Sequence, residues 1–509
     1  MKSLEISIVA LLAALGAAQA ADLPTKKTPP AAEKPNCYAT FMSWLDSTAS
    51  DCPLSAYGIT IYGQIDVGGG YNSAATPFNR DFSNGIQELI SKDSNNARWQ
   101  AVPNGLSQSN VGIKIKEQVA PNWYVVGDVD FGFDPYSFHF SNGPASLEDN
   151  NFYKSSQQDL ISANGDSSRA GGIDNARAYV GLSNSTFGTL TFGRQYALTN
   201  DLSGAYDPFG GAYAFSLIGT SGTVEQGTGE TETARENTSF KYLINYNGFR
   251  AAAIGQVGGW AEGNGAQAAY QVDIGGDWNG FSVDAVYAYD KDAVKLGAFG
   301  PPPVGAPNDL KATLADVNAG VIGAKYKVDK LTLYSGYENA RLSSPSNYAN
   351  YVGNTYNFND SWTNYPGVVQ ADAFGHGTGK TEDLQVVWLG AKYGVLSNLD
   401  AAVGYYHEWQ NNYDINPNAA KNGTTACAAF STQTGGKNVV TTTGAIGKGT
   451  VNSDCAGHTD AVSGMLDWRP VKRVDIYSGV MISQVAGGMA SGYIHTENVS
   501  FTSGVRLAF

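Results

Sequence analysis

From residue 57 to the carboxyl terminus, apolar and polar side chains alternate in short runs, and the last run shows the pattern most plainly. In Val499-Ser500-Phe501-Thr502-Ser503-Gly504-Val505-Arg506-Leu507-Ala508-Phe509 every second residue apart from Ser503 is apolar, and the final residue is aromatic. A period of two belongs to a β-strand with one apolar and one polar face. Dividing the runs at the polar, Gly, Pro and Asn residues between them predicts strands at 57–71, 108–118, 122–133, 173–184, 187–196, 235–247, 248–259, 264–278, 279–290, 316–329, 330–341, 381–395, 398–410, 458–471, 472–484 and 496–509. That makes sixteen. Their connections alternate between tight turns and long polar excursions. The turns fall at Ala120-Pro121-Asn122, Asn184-Ser185-Thr186, Asn247-Gly248, Asn279-Gly280, Val328-Asp329-Lys330, Leu396-Ser397-Asn398 and Arg469-Pro470-Val471; the excursions include 72–107, 134–172, 342–380 and 411–457.

An even strand number with short connections at one end and long ones at the other is expected of an all-β, transmembrane, antiparallel β-barrel. A soluble sandwich would have many short strands without that regular asymmetry. The amino terminus fits an exported chain, because Lys2, the apolar stretch Ile6–Ala18 and the small-residue site Ala18-Gln19-Ala20 read as a cleaved signal peptide over 1–20. No later segment offers the ~20 consecutive apolar residues of a membrane helix, so membrane residence requires a closed barrel. The expected organisation is a signal peptide at 1–20, a Pro- and Lys-rich periplasmic arm at 21–55 and the barrel at 56–509. The expected location is the bacterial outer membrane, among its lipid and lipopolysaccharide.

Composition narrows the chemistry. A formal charge of −14 argues against nucleic acid as a partner. Four cysteines form two local pairs, Cys37 with Cys52 and Cys427 with Cys455. Three pairings are formally possible, and the local one closes each disulfide within a single non-strand segment of an exported chain. No C-x-x-C spacing occurs and the five histidines are scattered, so no metal and no cofactor are expected. Neither a Gly-x-Ser-x-Gly elbow nor a nucleophile, base and orienting group stands out, which points away from an enzyme. An adhesive role would need only the long loops and is compatible with a pore.

Parity assigns faces. Val111, Ile113 and Ile115 point one way and Lys114 and Lys116 the other; Ala178, Val180 and Leu182 oppose Arg177 and Tyr179. With charge on the watery side, the lumen receives Gln64, Asp66, Asp128, Asp130, Arg235, Lys241, Asp273, Asp284 and Arg506 as well. Arg194 shares parity with the outward Leu190 and Phe192, where a midplane Arg costs about 2–4 kcal/mol. It either snorkels at the rim or lies under another subunit.

The segment around Arg194 is the most specific in the chain. Gly193-Arg194-Gln195-Tyr196 leads through Asp201 to Asp207-Pro208-Phe209-Gly210-Gly211, and a strand opens at Arg235-Glu236-Asn237-Thr238-Ser239. Together with Tyr62-Gly63-Gln64-Ile65-Asp66, Asn175-Ala176-Arg177-Ala178-Tyr179-Val180-Gly181-Leu182 and the closing strand, this resembles the general diffusion porins of Gram-negative bacteria. The amino-terminal cysteine arm and the large later loops resemble alphaproteobacterial members. The resemblance implies a water-filled channel for small hydrophilic solutes and ions whose third loop folds inward and constricts the pore. It implies Asp201 and Asp207 on the acidic side of the constriction, Pro208, Phe209, Gly210 and Gly211 as the loop turn, and Arg177, Arg235 and Lys241 on the basic wall. It also implies a homotrimer, which places Arg194 at the subunit interface. Gln64 and Asn110 stand where such porins often carry a base, and Pro208 where they carry Glu. A thinner basic cluster and a weak cation preference are therefore expected. A sugar-specific channel is the alternative, with Tyr62, Tyr124 and Tyr179 as its aromatic lining.

Overall fold

The computed structural model describes residues 36–74, 97–136, 138, 175–218, 235–256, 268–291, 316–343, 381–412, 456–487 and 496–509. The signal segment 1–20, residues 21–35, and Cys427 and Cys455 lie outside the described residues. The chain divides into two units, Met1–Trp44 and Leu45–Phe509. In the first, the described residues form a turn and begin the short helix Phe41–Leu45. Cys37 and Cys52 are both disulfide-bonded.

The second unit is a barrel of sixteen long strands: β1 (Ile59–Asn72), β2 (Asn110–Ala120), β3 (Trp123–Gly132), β4 (Asn175–Asn184), β5 (Gly188–Tyr196), β6 (Arg235–Tyr246), β7 (Phe249–Gln256), β8 (Ala268–Trp278), β9 (Phe281–Lys291), β10 (Asp316–Val328), β11 (Leu331–Ser343), β12 (Glu382–Leu396), β13 (Leu399–Gln410), β14 (Gly457–Val471), β15 (Val474–Gly487) and β16 (Glu497–Ala508). Each pairs antiparallel with its sequence neighbours, and β16 returns to β1, with Arg506 opposite Asp66, so the sheet has no free edge. The terminal aromatic completes the closure. Phe509 N donates to Gly63 O at 2.9 Å and Gly63 N to Phe509 O at 3.0 Å. A side chain at position 63 would put its Cβ 2.7 Å from the Phe509 ring, so the close approach requires glycine.

All tight turns gather at one end. Asn247-Gly248 and Asn279-Gly280 have positive φ at both central residues, the geometry that matches the twist of a two-residue hairpin. One turn differs from the expected position. The hairpin joining β14 and β15 turns at Lys472-Arg473 and not at Arg469-Pro470-Val471, because Val471 still pairs with Val474 and the register shift between Trp468 and Val471 takes Pro470 into a bulge. The expected arm also ends earlier. Leu45–Ala56 belongs to the barrel unit. Arg473, 2% exposed, donates to Thr48 O at 3.0 Å and Cys52 O at 2.6 Å, and Leu54–Ala56 pairs with the start of β1.

The apolar face of the barrel looks outward. Ile274 is 72% exposed, Val180 57% and Ile482 54%, whereas Asp66, Glu408 and Ser500 are buried on the inner side. Such an inside-out arrangement suits lipid as the surrounding solvent.

Candidate functional site

The inner wall is not empty, because the chain after β5 folds into the barrel. Helix α1 (Leu198–Tyr206) has no side-chain cap of its own. Instead Gln271 Oε1 on β8 accepts the first orphan amides, Leu198 N at 2.8 Å and Thr199 N at 3.1 Å. Leu198, Leu202 and Tyr206 recur every fourth residue and are buried against the wall, a helical stripe seated on a sheet. Tyr206 ends the helix with its hydroxyl 2.8 Å from Ser282 Oγ and donating to Asp284 at 2.5 Å on β9, while Trp388 of β12 donates to Tyr206 O at 3.0 Å.

Asp207-Pro208-Phe209-Gly210-Gly211 follows immediately. Asp207 is 2% exposed; its Oδ2 accepts Phe209 N at 3.0 Å and Gly211 N at 2.9 Å, and its Oδ1 accepts Tyr406 Oη of β13 at 2.5 Å. Burial pushes this carboxyl up to about 6, against the opposing pull of the Tyr406 hydroxyl and the two amides. Asp207 thus anchors the turn. Pro208 and Phe209 lie over Gly404, where an added Cβ would sit 2.7 Å from the Phe209 ring. Farther on, Phe215 packs edge-on to Tyr477 of β15, and Ala214 N donates to Gly105 O at 2.9 Å. The loop therefore runs as a collar along the inner wall from β8 to β15 and reaches the segment between β1 and β2.

The wall from β2 to β6 carries a further set of charges. Asp201, half-exposed on α1, pairs with Lys241 Nζ of β6 at 2.6 Å, and that ammonium also donates to Tyr196 O at 2.8 Å. Arg177 of β4 meets Asp130 at 3.0 Å and Asp128 at 3.4 Å on β3. Its guanidinium lies 4.8 Å from the Tyr196 ring, and Arg235 stacks on the same ring at 5.3 Å. Tyr62 donates to Asp128 at 2.5 Å, Lys114 rests over the Tyr62 ring at 4.1 Å, and Lys116 over Tyr124 at 5.1 Å. Loop acid and wall base therefore meet directly at Asp201–Lys241.

Other sequence-assigned residues fall elsewhere. Gln64 donates to Gln108 O at 2.9 Å, and Asp66, fully buried, accepts Tyr477 Oη at 2.7 Å and Leu106 N at 2.7 Å. Arg194 stands opposite Ala178 in the ladder and is 9% exposed within its own chain, next to a register shift between Gly193 and Gln195. Pattern reading missed Arg250 on β7, which grips Asp284 at 2.9 Å and donates to Tyr206 Oη at 3.1 Å. Its only signal was a charge two residues after the Asn247-Gly248 turn, too common to single out. The aromatic anchors Trp388, Tyr406 and Tyr477 were missed for the same reason, among 29 tyrosines and 9 tryptophans. Among the described residues no group of His, Cys, Asp and Glu is placed to hold a metal ion.

A family model described as Gram-negative porin matches residues 7–448 of the chain. The chain belongs to the Gram-negative porin family. This porin is 25% identical over 197 residues to an outer membrane porin protein of Bordetella pertussis; the match covers 38% of this chain and spans 40% of the relative's length. Among solved structures, the loop L8 deletion mutant of OmpT, an outer membrane protein of Vibrio cholerae, superposes with a TM-score of 0.50 at 14% identity, covering 89% of this porin and 99% of that chain. The anion-selective porin from Comamonas acidovorans gives 0.49 at 13% identity, with 89% and 99% covered. Family and barrel together place the porin in the outer membrane.

Proposed function

We propose that this porin is a passive diffusion channel for small hydrophilic solutes and ions, works as a homotrimer, carries no catalytic activity and weakly prefers cations. The observation that carries the reading is the loop folded into the barrel, which meets the basic wall at the 2.6 Å Asp201–Lys241 ion pair and so narrows the lumen beside it. Acid on the loop and base on the wall around a narrowed lumen set a transverse field that orders water and discriminates by sign and size. The cation preference is supported by how thoroughly the wall bases are matched, since Arg177 faces two carboxylates and Lys241 one. A dedicated sugar slide is disfavoured because cations already cover the lumenal rings of Tyr62 and Tyr124.

The test is reconstitution of the folded mature chain in a planar bilayer. Stable ohmic steps in groups of three and a reversal potential favouring potassium over chloride are expected; a folded but silent protein would remove the diffusion reading, and a clear chloride preference would remove the selectivity.

A further inference from the structure

We infer that residues 102–109 form a second constriction element, a fold of the barrel wall itself that meets the third loop and lines the narrow path from the other side. The inference rests on the diffusion-channel reading above.

The ladder supplies the first ground. Gln64 pairs with Asn110 and Gly69 with Ala101, so five steps along β1 face nine along its partner and four residues are left over. The short strand Arg98–Ala101 and β2 are in effect one barrel strand interrupted by this surplus. An ordinary bulge adds one residue. A surplus of four must leave the sheet, and its contacts show that it goes inward: Leu106 joins the buried cluster of Phe215 and Tyr477, Gly105 O accepts Ala214 N of the third loop, and Ser107 Oγ accepts Arg506 Nη1 of β16 at 3.0 Å.

The second ground is that the fold is built, not loose. Asp66 serves as its keystone, with Oδ2 accepting Leu106 N at 2.7 Å and Ser107 N at 3.1 Å and Oδ1 accepting Tyr477 Oη. Asn104 N returns to Asp66 O at 3.1 Å, Asn104 Oδ1 accepts Ser109 N at 2.7 Å, and Ser109 Oγ accepts Asp66 N at 2.9 Å. A fully buried carboxylate with three donors holds a fixed backbone shape. Within 102–109 only Ser107 and Gln108 keep partial exposure. The fold therefore presents a neutral, hydrogen-bonding edge to the lumen, opposite in character to the Lys114–Arg177 wall.

Ser107→Cys tests this in open channels. The residue is close to isosteric, and a small thiol reagent bearing a sulfonate or an ammonium group can be added once current flows, with the wild-type channel exposed to the same reagents as the baseline. Modification is expected to lower single-channel conductance with either reagent. The reversal potential should shift toward cations with the sulfonate and toward anions with the ammonium, and Gln108→Cys should behave alike. Channels that conduct normally but either resist labelling at both positions or show unchanged current after labelling confirmed by mass would overturn the second constriction. Silence of the wild-type protein would instead remove the channel reading on which it rests.

Discussion

Asp207 offers a test of how the third loop is held, because its titration and its anchoring are the same event. Its carboxyl is buried and raised from an ordinary 3.8 to about 6. Relative to a released loop in water, the seated loop therefore binds the proton more tightly. The sign follows directly: the seat has its full stability below pH 4, loses it as pH rises from about 4 to about 6, and stays at the lower level above. Two pH units at about 1.4 kcal/mol each amount to about 3 kcal/mol, or roughly a hundredfold in the ratio of seated to released loop. Asp207→Asn keeps an oxygen for the Phe209 and Gly211 amides and removes the ionisation. Open-channel current noise and protease nicking of the loop, each recorded from pH 4 to pH 8, are expected to rise with pH in the wild type and to stay flat in the variant. An Asp207→Asn channel that keeps the wild-type pH dependence would refute the reasoning, because another group would then be responsible.

Three further outcomes follow from the same contacts. Gly404→Val puts a Cβ 2.7 Å from the Phe209 ring; overpacking of this kind costs about 1–3 kcal/mol, and because the strand cannot retreat the loop must shift, which single-channel conductance would register. Asp201→Asn withdraws the carboxylate 2.6 Å from the buried Lys241 ammonium; the expected result is a reversal potential moved toward anions, with unfolding by denaturant eased by about 1–3 kcal/mol. Deleting Phe509 removes both main-chain hydrogen bonds to Gly63 at the seam, so the yield of compact, heat-modifiable barrel on refolding should fall while the secondary structure of what does fold is unchanged.

The barrel was legible because a strand with lipid on one side and water on the other writes its period into the sequence, as Val111, Ile113 and Ile115 against Lys114 and Lys116 show. Strand ends at Asn247-Gly248 and Asn279-Gly280 were equally plain, since a two-residue turn demands residues that tolerate positive φ. Pro470 misled for a physical reason: proline marks turns, but it also fits a bulge where no ladder amide is needed. In the lumen, parity tells which way a side chain points and not what it meets. Lys241 and Asp201 were readable as opposite charges facing one space. That Asp207, six residues on, would be buried by Tyr406 on a strand 199 positions away lies in tertiary packing alone. The fold at 102–109 was concealed where the loop expected over 72–107 meets the strand expected at 108–118, because a surplus of residues in one strand is visible only once its partner's register is known.

The proposed selectivity depends on how the lumen balances its charges. Among the described residues six of the lumenal bases, Arg177, Lys241, Arg250, Lys392, Arg469 and Arg506, pair with eight aspartates, namely Asp128, Asp130, Asp201, Asp277, Asp284, Asp400, Asp467 and Asp475. A base that shares its field between two carboxylates has little left for a passing anion, whereas the half-exposed carboxylates of Asp201 and Asp277 remain open to a passing cation. These two face water, so salt governs their reach: the screening length is about 10 Å at 0.1 M and about 3 Å at 1 M. At the higher strength an ion a few ångströms from the wall no longer feels the imbalance, and only the collar's width discriminates. Cation preference should therefore be strongest in dilute salt and fade toward 1 M, whereas a preference set by the collar's geometry alone would persist. A reversal potential that is insensitive to ionic strength would place the selectivity in the shape of the path and not in its paired charges.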